Sequence, residues 1–150
     1  SEMCIRDSSR THPEWEDDQL HFVSLDELLE KSDVISLHCP LTEETDNMIC
    51  RESIAKMKKG VIIINTSRGK IINDTDLANA LATGKVGYAA IDVLAEEPPV
   101  HGSPLIEQPN CIVTPHIAWA PLQARRRCMQ IVEDNIRAFQ QGKPQNVVNL

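Results

Sequence analysis

The sequence lacks the features that mark several broad classes of protein. Aromatic residues make up only 3% of the 150 residues, so a core must be built from aliphatic side chains. No apolar run approaches the roughly 18 residues of a membrane-spanning helix. The net charge is -7, and the only basic block, residues 125–127, is too short for an electrostatic nucleic-acid surface. We therefore expect no nucleic-acid partner and no membrane partner.

Two further absences concern glycine and cysteine. No G-x-G-x-x-G motif occurs among the six glycines, so the residues alone do not identify a dinucleotide site. The five cysteines are odd in number, irregularly spaced and without a C-x-x-C pair, which argues against a disulfide framework or a zinc knuckle. We expect Cys39 and Cys111 to be buried thiols that act as small hydrophobic residues, in a reduced, cytoplasmic protein.

What the sequence does contain is an alternation of strand and helix patterns. Strands are predicted at residues 20–23, 33–38, 61–65, 88–92 and 111–114, and a last short strand at residues 145–150. Helices are predicted after Ser24, at residues 53–59, after Asn73 and at residues 121–141. Residues 94–109 hold four prolines and are predicted to form a loop. This order favours an α/β fold with a parallel sheet covered by helices.

Local signals set the predicted helix ends. Ser24 and Glu27 have the spacing of a capping box, and Asn73 is a predicted N-cap. Gly60 is predicted to end the second helix in a left-handed conformation. Residues 1–19 show no apolar periodicity, and the first eight resemble a sequencing-adaptor artefact, so we expect this segment to be unstructured or artefactual.

Residues 61–69 (VIIINTSRG) are the most informative stretch. Four β-branched apolar residues predict a strand buried on both faces, as in a parallel sheet. The polar turn that follows lies at the carboxyl end of the strand, where open α/β sheets bind ligands. Arg68 in this turn either holds a ligand or is a surface charge at the tip of a loop.

Polar residues follow three other predicted strands as well: His38, Asp92 and His116. The carboxyl ends of parallel strands share one edge, so these groups and Arg68 are expected to line one crevice. An arginine fork binds a carboxylate, and a histidine carries a proton near neutral pH. A carboxylate beside that histidine, from Asp92 or the nearby loop, favours its protonated form.

Other interpretations of the same residues are open at this point. His116 is alternatively a structural histidine, and Asp92 a loop cap. Ser67, His116 and Asp92 offer the residue types of a hydrolytic triad, but no G-x-S-x-G elbow accompanies them. His38, Cys39 and His116 lack the local spacing of a metal site, and we expect none.

Four ordered motifs carry a resemblance to a known family. They are residues 33–42 (DVISLHCPLT), residues 65–69 (NTSRG), Asp92-Val93 with Glu97-Pro98, and residues 115–118 (PHIA). Together they resemble the D-isomer-specific 2-hydroxyacid dehydrogenases over roughly residues 20–150. Residues 116–120 and 145–149 are most similar to the glycerate dehydrogenase, or hydroxypyruvate reductase, subfamily.

The resemblance implies a fold, a reaction and a set of roles. It implies a Rossmann-like domain and hydride transfer between NAD or NADP and a small 2-keto or 2-hydroxy acid, hydroxypyruvate or glyoxylate. Catalytic roles fall on Arg68, Glu97 and His116, with Arg68 and Trp119 at the substrate. The implied cofactor-binding residues are His38, Pro40, Thr66, Ser67, Arg68, Asp92, His116 and Ala118.

The resemblance also predicts what this sequence does not contain. The family's N-terminal substrate segment, its glycine-rich turn and the acid that selects NAD over NADP are absent. We expect residues 20–120 to form the C-terminal part of a nucleotide-binding domain, and residues 121–150 a returning helix of the substrate domain. Alone, these 150 residues are expected to be inactive and poorly stable, while the full-length protein is expected to be a homodimer.

Two alternatives to this function are kept. Some relatives are nucleotide-sensing corepressors that bind peptides, which makes the protein a binding module rather than an enzyme. Sister families with the same fold act on phosphonate, formate or 3-phosphoglycerate.

Overall fold

The computed structural model describes residues 4–10 and 19–148, which belong to two compact units, residues 1–115 and residues 116–150. The elements of the first unit, in chain order, are β1 (Ile5–Asp7), β2 (Leu20–Phe22), α1 (Leu25–Lys31), β3 (Val34–Leu37), α2 (Arg51–Lys56), β4 (Val61–Asn65), a 3₁₀ helix (Gly69–Ile71), α3 (Asp74–Ala82), β5 (Val86–Ile91) and β6 (Cys111–Val113). The second unit contains α4 (Leu122–Gln140). The predicted α/β class is confirmed.

The main sheet consists of β3, β4, β5 and β6 in that order, and every neighbouring pair is parallel. Its register aligns the last residues of the four strands, Leu37, Asn65, Ile91 and Val113, in one row. The residues that follow these strands therefore emerge along a single edge, as the sequence predicts.

The core lies on one face of this sheet. Val61, Ile63 and Asn65 of β4 are buried, and α1, α2 and α3 contribute aliphatic side chains such as Leu29, Ile54 and Leu77 to the same cluster. The prediction that β4 is buried on both faces is wrong for the described chain, since Ile62 and Ile64 are only half-buried. On that second face, Val34 of β3 is 52% exposed, Tyr88 of β5 65% and Ile112 of β6 68%.

The N-terminal segment differs from the prediction that it has no structure. Ile5–Asp7 forms β1, which pairs in parallel with β2 in a separate two-stranded sheet. Three residues are too few for a periodicity to show in the sequence, so the strand was not detectable there. Residues 1–3 and 11–18 of the same predicted segment lie outside the described residues.

The helix ends follow the predicted signals with two differences. The Ser24 side chain accepts from the Glu27 amide at 3.2 Å, but the Glu27 carboxylate bonds Lys31 at 2.8 Å, so only half of the capping box forms. α2 begins at Arg51 and ends at Lys56, earlier at both ends than predicted. Gly60 has the expected positive φ of +81°, and the Asn73 side chain caps α3 by accepting from the Asp76 amide at 3.1 Å.

The second unit is dominated by α4, the longest helix. The helix forms where the apolar spacing predicts it, yet none of its residues is buried. The strand predicted at residues 145–150 is wrong for residues 145–148, and residues 149 and 150 lie outside the described part of the chain. No described helix is both long enough and apolar enough to span a membrane.

Candidate active site at the carboxyl edge of the sheet

The turn after β4 is organised by a buried asparagine. Asn65 has no exposed surface, and its Nδ2 donates to the Arg68 carbonyl oxygen at 2.9 Å. Its Oδ1 accepts from the Ser67 amide and from the Ser67 hydroxyl, both at 3.0 Å. A side chain that bonds its own backbone two residues on is a compact substitute for a regular turn. Asn65 thereby fixes the path of the chain up to Arg68.

Arg68 is presented by this turn toward solvent. Its side chain is exposed, and Nη1 donates to the Ser67 carbonyl oxygen at 2.7 Å. Among the described residues Arg68 forms no ion pair, so no carboxylate of the described chain competes for its planar fork. The geometry suits an arginine that binds an incoming carboxylate better than one that serves a structural ion pair.

Ser67 is committed to the same turn. Its hydroxyl donates to Asn65 Oδ1, so this oxygen has a structural partner instead of a histidine base. That arrangement argues against the hydrolytic triad of Ser67, His116 and Asp92.

Asp92 follows β5 and lies in the middle of the sheet edge. It is 5% exposed, its amide donates to the Asn65 carbonyl oxygen at 2.9 Å, and its Oδ1 accepts from the Thr114 hydroxyl at 2.5 Å. The Thr114 bond ties the end of β5 to the chain just after β6. The Asp92 carboxylate therefore has a well-defined position at the edge of the sheet.

Glu97 lies on the proline-rich loop that follows Asp92. Its Oε1 accepts from the Leu94 amide at 2.8 Å, so the carboxylate is tied to the first residues of its own loop. The backbone of Leu94 in turn presses against Gly69. A Cβ placed on Gly69 would lie only 2.0 Å from the Leu94 carbonyl oxygen. The residue after Arg68 and the residues before Glu97 are therefore in direct backbone contact.

His116 is the first residue of the second unit and has a positive φ of +53°. Non-glycine residues in this region are uncommon and concentrate at functional sites. Within the unit, Trp119 Nε1 donates to the His116 carbonyl oxygen at 2.9 Å, and the Trp119 side chain is 64% exposed. Ala118 lies between them in the same exposed segment.

The remaining predicted cofactor residues lie at the ends of β3 and β4. His38 directly follows β3, and its Nε2 lies 2.8 Å from the Ser36 hydroxyl. Pro40 is exposed two residues later, and its carbonyl oxygen accepts from the Thr45 hydroxyl at 2.7 Å. Thr66 follows Asn65 and is exposed at the same edge. The structure thus places His38, Thr66 and Asp92 after neighbouring strands of one sheet.

Three residues at this edge escaped the sequence reasoning: Asn65 as the organiser of the turn, Thr114 as the partner of Asp92, and Gly69 as the contact to the Glu97 loop. A polar residue closing an apolar strand was a visible signal for Asn65. No sequence pattern reveals Thr114 or Gly69, because each acts through a residue more than 20 positions away in the chain.

Cys111 of β6 is half-buried and packs against the core, as does Cys39. Burial, together with the nearby Asp74 carboxylate, raises the pKa of the Cys111 thiol to about 11. The thiol is therefore protonated at neutral pH, which fits the predicted role of a small hydrophobic residue.

Comparison with protein families gives one extended match. The family described as "D-isomer specific 2-hydroxyacid dehydrogenase, NAD binding domain" matches residues 2–118. The match includes the β4 turn, Asp92, Glu97 and His116.

Individual relatives agree with this match. A hydroxypyruvate reductase of Blautia hydrogenotrophica is 51% identical over 138 residues, which are 92% of this chain and 43% of that protein. A glycerate dehydrogenase of Methylorubrum extorquens is 48% identical over 128 residues, covering 84% of this chain and 41% of the relative. The chain thus spans about two fifths of the length of these curated relatives.

A solved structure shows the same fold. The NAD-complexed form of a D-isomer specific 2-hydroxyacid dehydrogenase from Lactobacillus delbrueckii ssp. bulgaricus superposes with a TM-score of 0.87 at 28% identity. The superposition covers 97% of this chain and 48% of that protein.

Proposed function

The chain belongs to the D-isomer-specific 2-hydroxyacid dehydrogenase family, and we propose that its full-length protein reduces hydroxypyruvate or glyoxylate with NADH or NADPH. The observation that carries the proposal is Arg68, an exposed guanidinium without an ion-pair partner among the described residues, held by the buried Asn65 turn at the carboxyl edge of the sheet. Relatives named hydroxypyruvate reductase, glycerate dehydrogenase and glyoxylate reductase support this choice of substrate.

Arg68 binds the substrate in this proposal. A 2-keto acid presents a carboxylate next to the carbonyl that is reduced, and a planar guanidinium matches both groups. The Asn65 turn keeps the arginine in place at little entropic cost, because Asn65 is buried and its side chain makes three hydrogen bonds. Trp119 is proposed to lie beside the substrate and limit its size.

His116 is the proposed general acid. Its imidazolium gives a proton to the carbonyl oxygen, which becomes the hydroxyl of the product, and His116 is left neutral. Glu97 is the proposed carboxylate partner that favours the charged form of His116 before each turnover. The strained backbone of His116 agrees with a side chain held for function.

The residues at the sheet edge fit the nicotinamide end of a dinucleotide. His38, Thr66 and Asp92 follow neighbouring parallel strands, the position at which such folds bind a cofactor. We propose that they hold the nicotinamide together with Pro40, Ser67 and Ala118. When bound, the cofactor supplies the hydride that reduces the substrate carbon. The chain has no glycine-rich phosphate-binding motif, so we propose that these 150 residues alone have no activity.

The test uses the purified full-length protein. Oxidation of NADH and of NADPH is followed with hydroxypyruvate, glyoxylate, pyruvate and 3-phosphohydroxypyruvate as substrates. We expect hydroxypyruvate or glyoxylate to give the highest kcat/KM. His116→Ala should lower kcat by about 100-fold or more, as expected for loss of a general acid.

His21→Ala is the matched control. His21 is exposed on β2 in the separate two-stranded sheet, so its loss should leave kcat unchanged. No substrate-dependent oxidation by the unmodified protein, or equal effects of the two histidine variants, would refute the proposal.

A further inference from the structure

We propose that Asp74 is a positioning residue for Glu97: from the first turn of α3, it holds the loop that carries this glutamate. The inference rests on the proposed function, in which Glu97 is the partner of His116. It concerns a residue outside the sheet edge and outside the family motifs on which the site was predicted.

Asp74 contacts the loop on both sides of Glu97. The Ser103 hydroxyl donates to Asp74 Oδ2 at 3.1 Å, and the Ala95 amide lies close to the same carboxylate. Ser103 Oγ also accepts from the amide of Leu105, whose side chain is completely buried. The far end of the loop is therefore bonded to the Asp74 carboxylate through Ser103, while its near end at Ala95 lies beside the same carboxylate.

The same segment is held from the Arg68 side. The Glu97 carboxylate accepts from the Leu94 amide at 2.8 Å, and the Leu94 carbonyl group packs directly on Gly69. Immediately before the glutamate, Ala95 thus lies beside Asp74, and Leu94 is in backbone contact with Gly69. These contacts connect the position of Glu97 to that of Arg68 through backbone atoms rather than through flexible side chains.

Asp74 is not the capping residue of its helix. The N-cap of α3 is Asn73, which accepts from the Asp76 amide, and Asp76 bonds the Arg51 amide at 2.9 Å. Burial raises the pKa of the Asp74 carboxyl, so its charged form is held at a cost. Asp74 is half-buried and bonds the loop, whereas Asn73 caps the helix and Asp76 bonds Arg51. We therefore assign to Asp74 the role of holding the loop.

The experiment compares variants of the full-length protein by the pH dependence of kcat/KM for hydroxypyruvate. Asp74→Ala should lower kcat/KM by about 10- to 100-fold, the size expected for misplacing a group at the reacting centre. It should also lower the pH above which kcat/KM declines, as we expect for Glu97→Gln, because in both variants His116 loses the carboxylate that favours its protonated form. Combining the two substitutions should be no worse than Glu97→Gln alone, because both act through Glu97.

Asp76→Ala is the matched control. It removes an acid of the same helical turn that bonds Arg51 instead of the loop. Asp74→Asn should retain most activity, because its amide oxygen still accepts from the Ser103 hydroxyl. If Asp74→Ala does not fold, Ser103→Ala serves instead, and a smaller shift in the same direction is expected. An unchanged pH profile, or additive losses in the double variant, would overturn the proposal.

A second measurement tests the role of Asp74 independently of the proposed function. If the unmodified protein reduces none of the keto acids, amide hydrogen exchange of residues 94–105 tests the positioning directly. Faster exchange in Asp74→Ala than in Asp76→Ala supports the role of Asp74 in holding the loop. Equal exchange in the two variants overturns it.

Discussion

The turn after β4 and the helix α4 differ in how firmly the described chain supports them. Asn65 is fully buried and makes three hydrogen bonds within five residues, and Gly69 abuts the Leu94 backbone. α4 has no buried residue, and Met129, Ile136 and Phe139 are 66%, 55% and 74% exposed. The contacts of the turn lie within the described residues, whereas the described residues leave the apolar face of the helix uncovered. Arg68, the proposed substrate-binding residue, is therefore held by contacts within this part of the chain.

Adding a side chain at position 69 is expected to have the largest effect on the turn after β4. Gly69→Ala places a Cβ against the peptide group between Leu94 and Ala95, and these backbone atoms cannot move aside as a flexible side chain could. We expect a loss of about 100-fold in kcat/KM of the full-length protein, because Arg68 and the Glu97 loop are pushed apart.

Gly84→Ala is the control for this substitution. Unlike Gly69, Gly84 has open space around it, and its φ is +70°, so alanine there costs only about 1 kcal/mol of backbone strain and should not affect activity. Equal activities of the two variants would show that the Gly69 contact does not position the site.

Asn65→Ala tests the turn itself. The substitution removes three buried hydrogen bonds and leaves the Arg68 carbonyl oxygen and the Ser67 amide without their partner. We expect the free energy of unfolding to fall by about 3 kcal/mol, measured by urea denaturation. A change below about 0.5 kcal/mol, the level of an ordinary surface substitution, would mean that the turn forms without Asn65.

Ile136→Ala tests whether the apolar face of α4 is covered in the full-length protein. The helix has a continuous apolar face, and we propose that another part of the full-length protein covers it. Truncating Ile136 there should cost about 2 kcal/mol, as for a buried aliphatic residue. Arg127→Ala on the opposite side of the same helix should cost less than about 0.5 kcal/mol. Equal, small costs in the full-length protein would show that α4 stays exposed in it.

The smallest expected effect concerns the titration of Asp74. Burial raises its pKa in the folded chain, so the folded state holds this proton more tightly than the unfolded chain does. The resulting stability is fully present below the ordinary aspartate pKa of about 3.9 and is lost as the pH rises to the raised value. Asp74→Asn removes this loss, so its stability relative to the unmodified protein should rise across that window. Parallel stability curves from urea denaturation at each pH would contradict the assignment.

Elements that depend on a few neighbouring residues can be predicted from the sequence. The strand pattern of residues 61–65, the Asn73 cap and the spacing of α4 each depend on a few neighbouring residues, and each element formed where predicted. The carboxyl edge followed from the parallel order of the strands, which placed His38, Arg68 and Asp92 after neighbouring strands.

The contacts that join the site could not be predicted, because they link distant residues through the backbone. The Gly69–Leu94 contact and the Asp74–Ser103 bond each connect residues 25 or more positions apart, with no periodicity to mark them. β1 was missed for the opposite reason, since a three-residue strand is too short to carry a pattern. The exposed second face of the sheet shows that apolar composition alone does not reveal which part of a protein covers it.

The most direct test of the account asks whether Arg68 recognises a carboxylate. The full-length protein is assayed with hydroxypyruvate and with glycolaldehyde, which is the same molecule without its carboxylate. Arg68→Ala should lower kcat/KM for hydroxypyruvate by about 100-fold or more, and should lower the slow reduction of glycolaldehyde by a clearly smaller factor, because glycolaldehyde offers the guanidinium only its carbonyl. Lys70→Ala, an exposed cation two residues away, should affect neither reaction. Equal losses on both substrates, or no loss on hydroxypyruvate, would contradict the account.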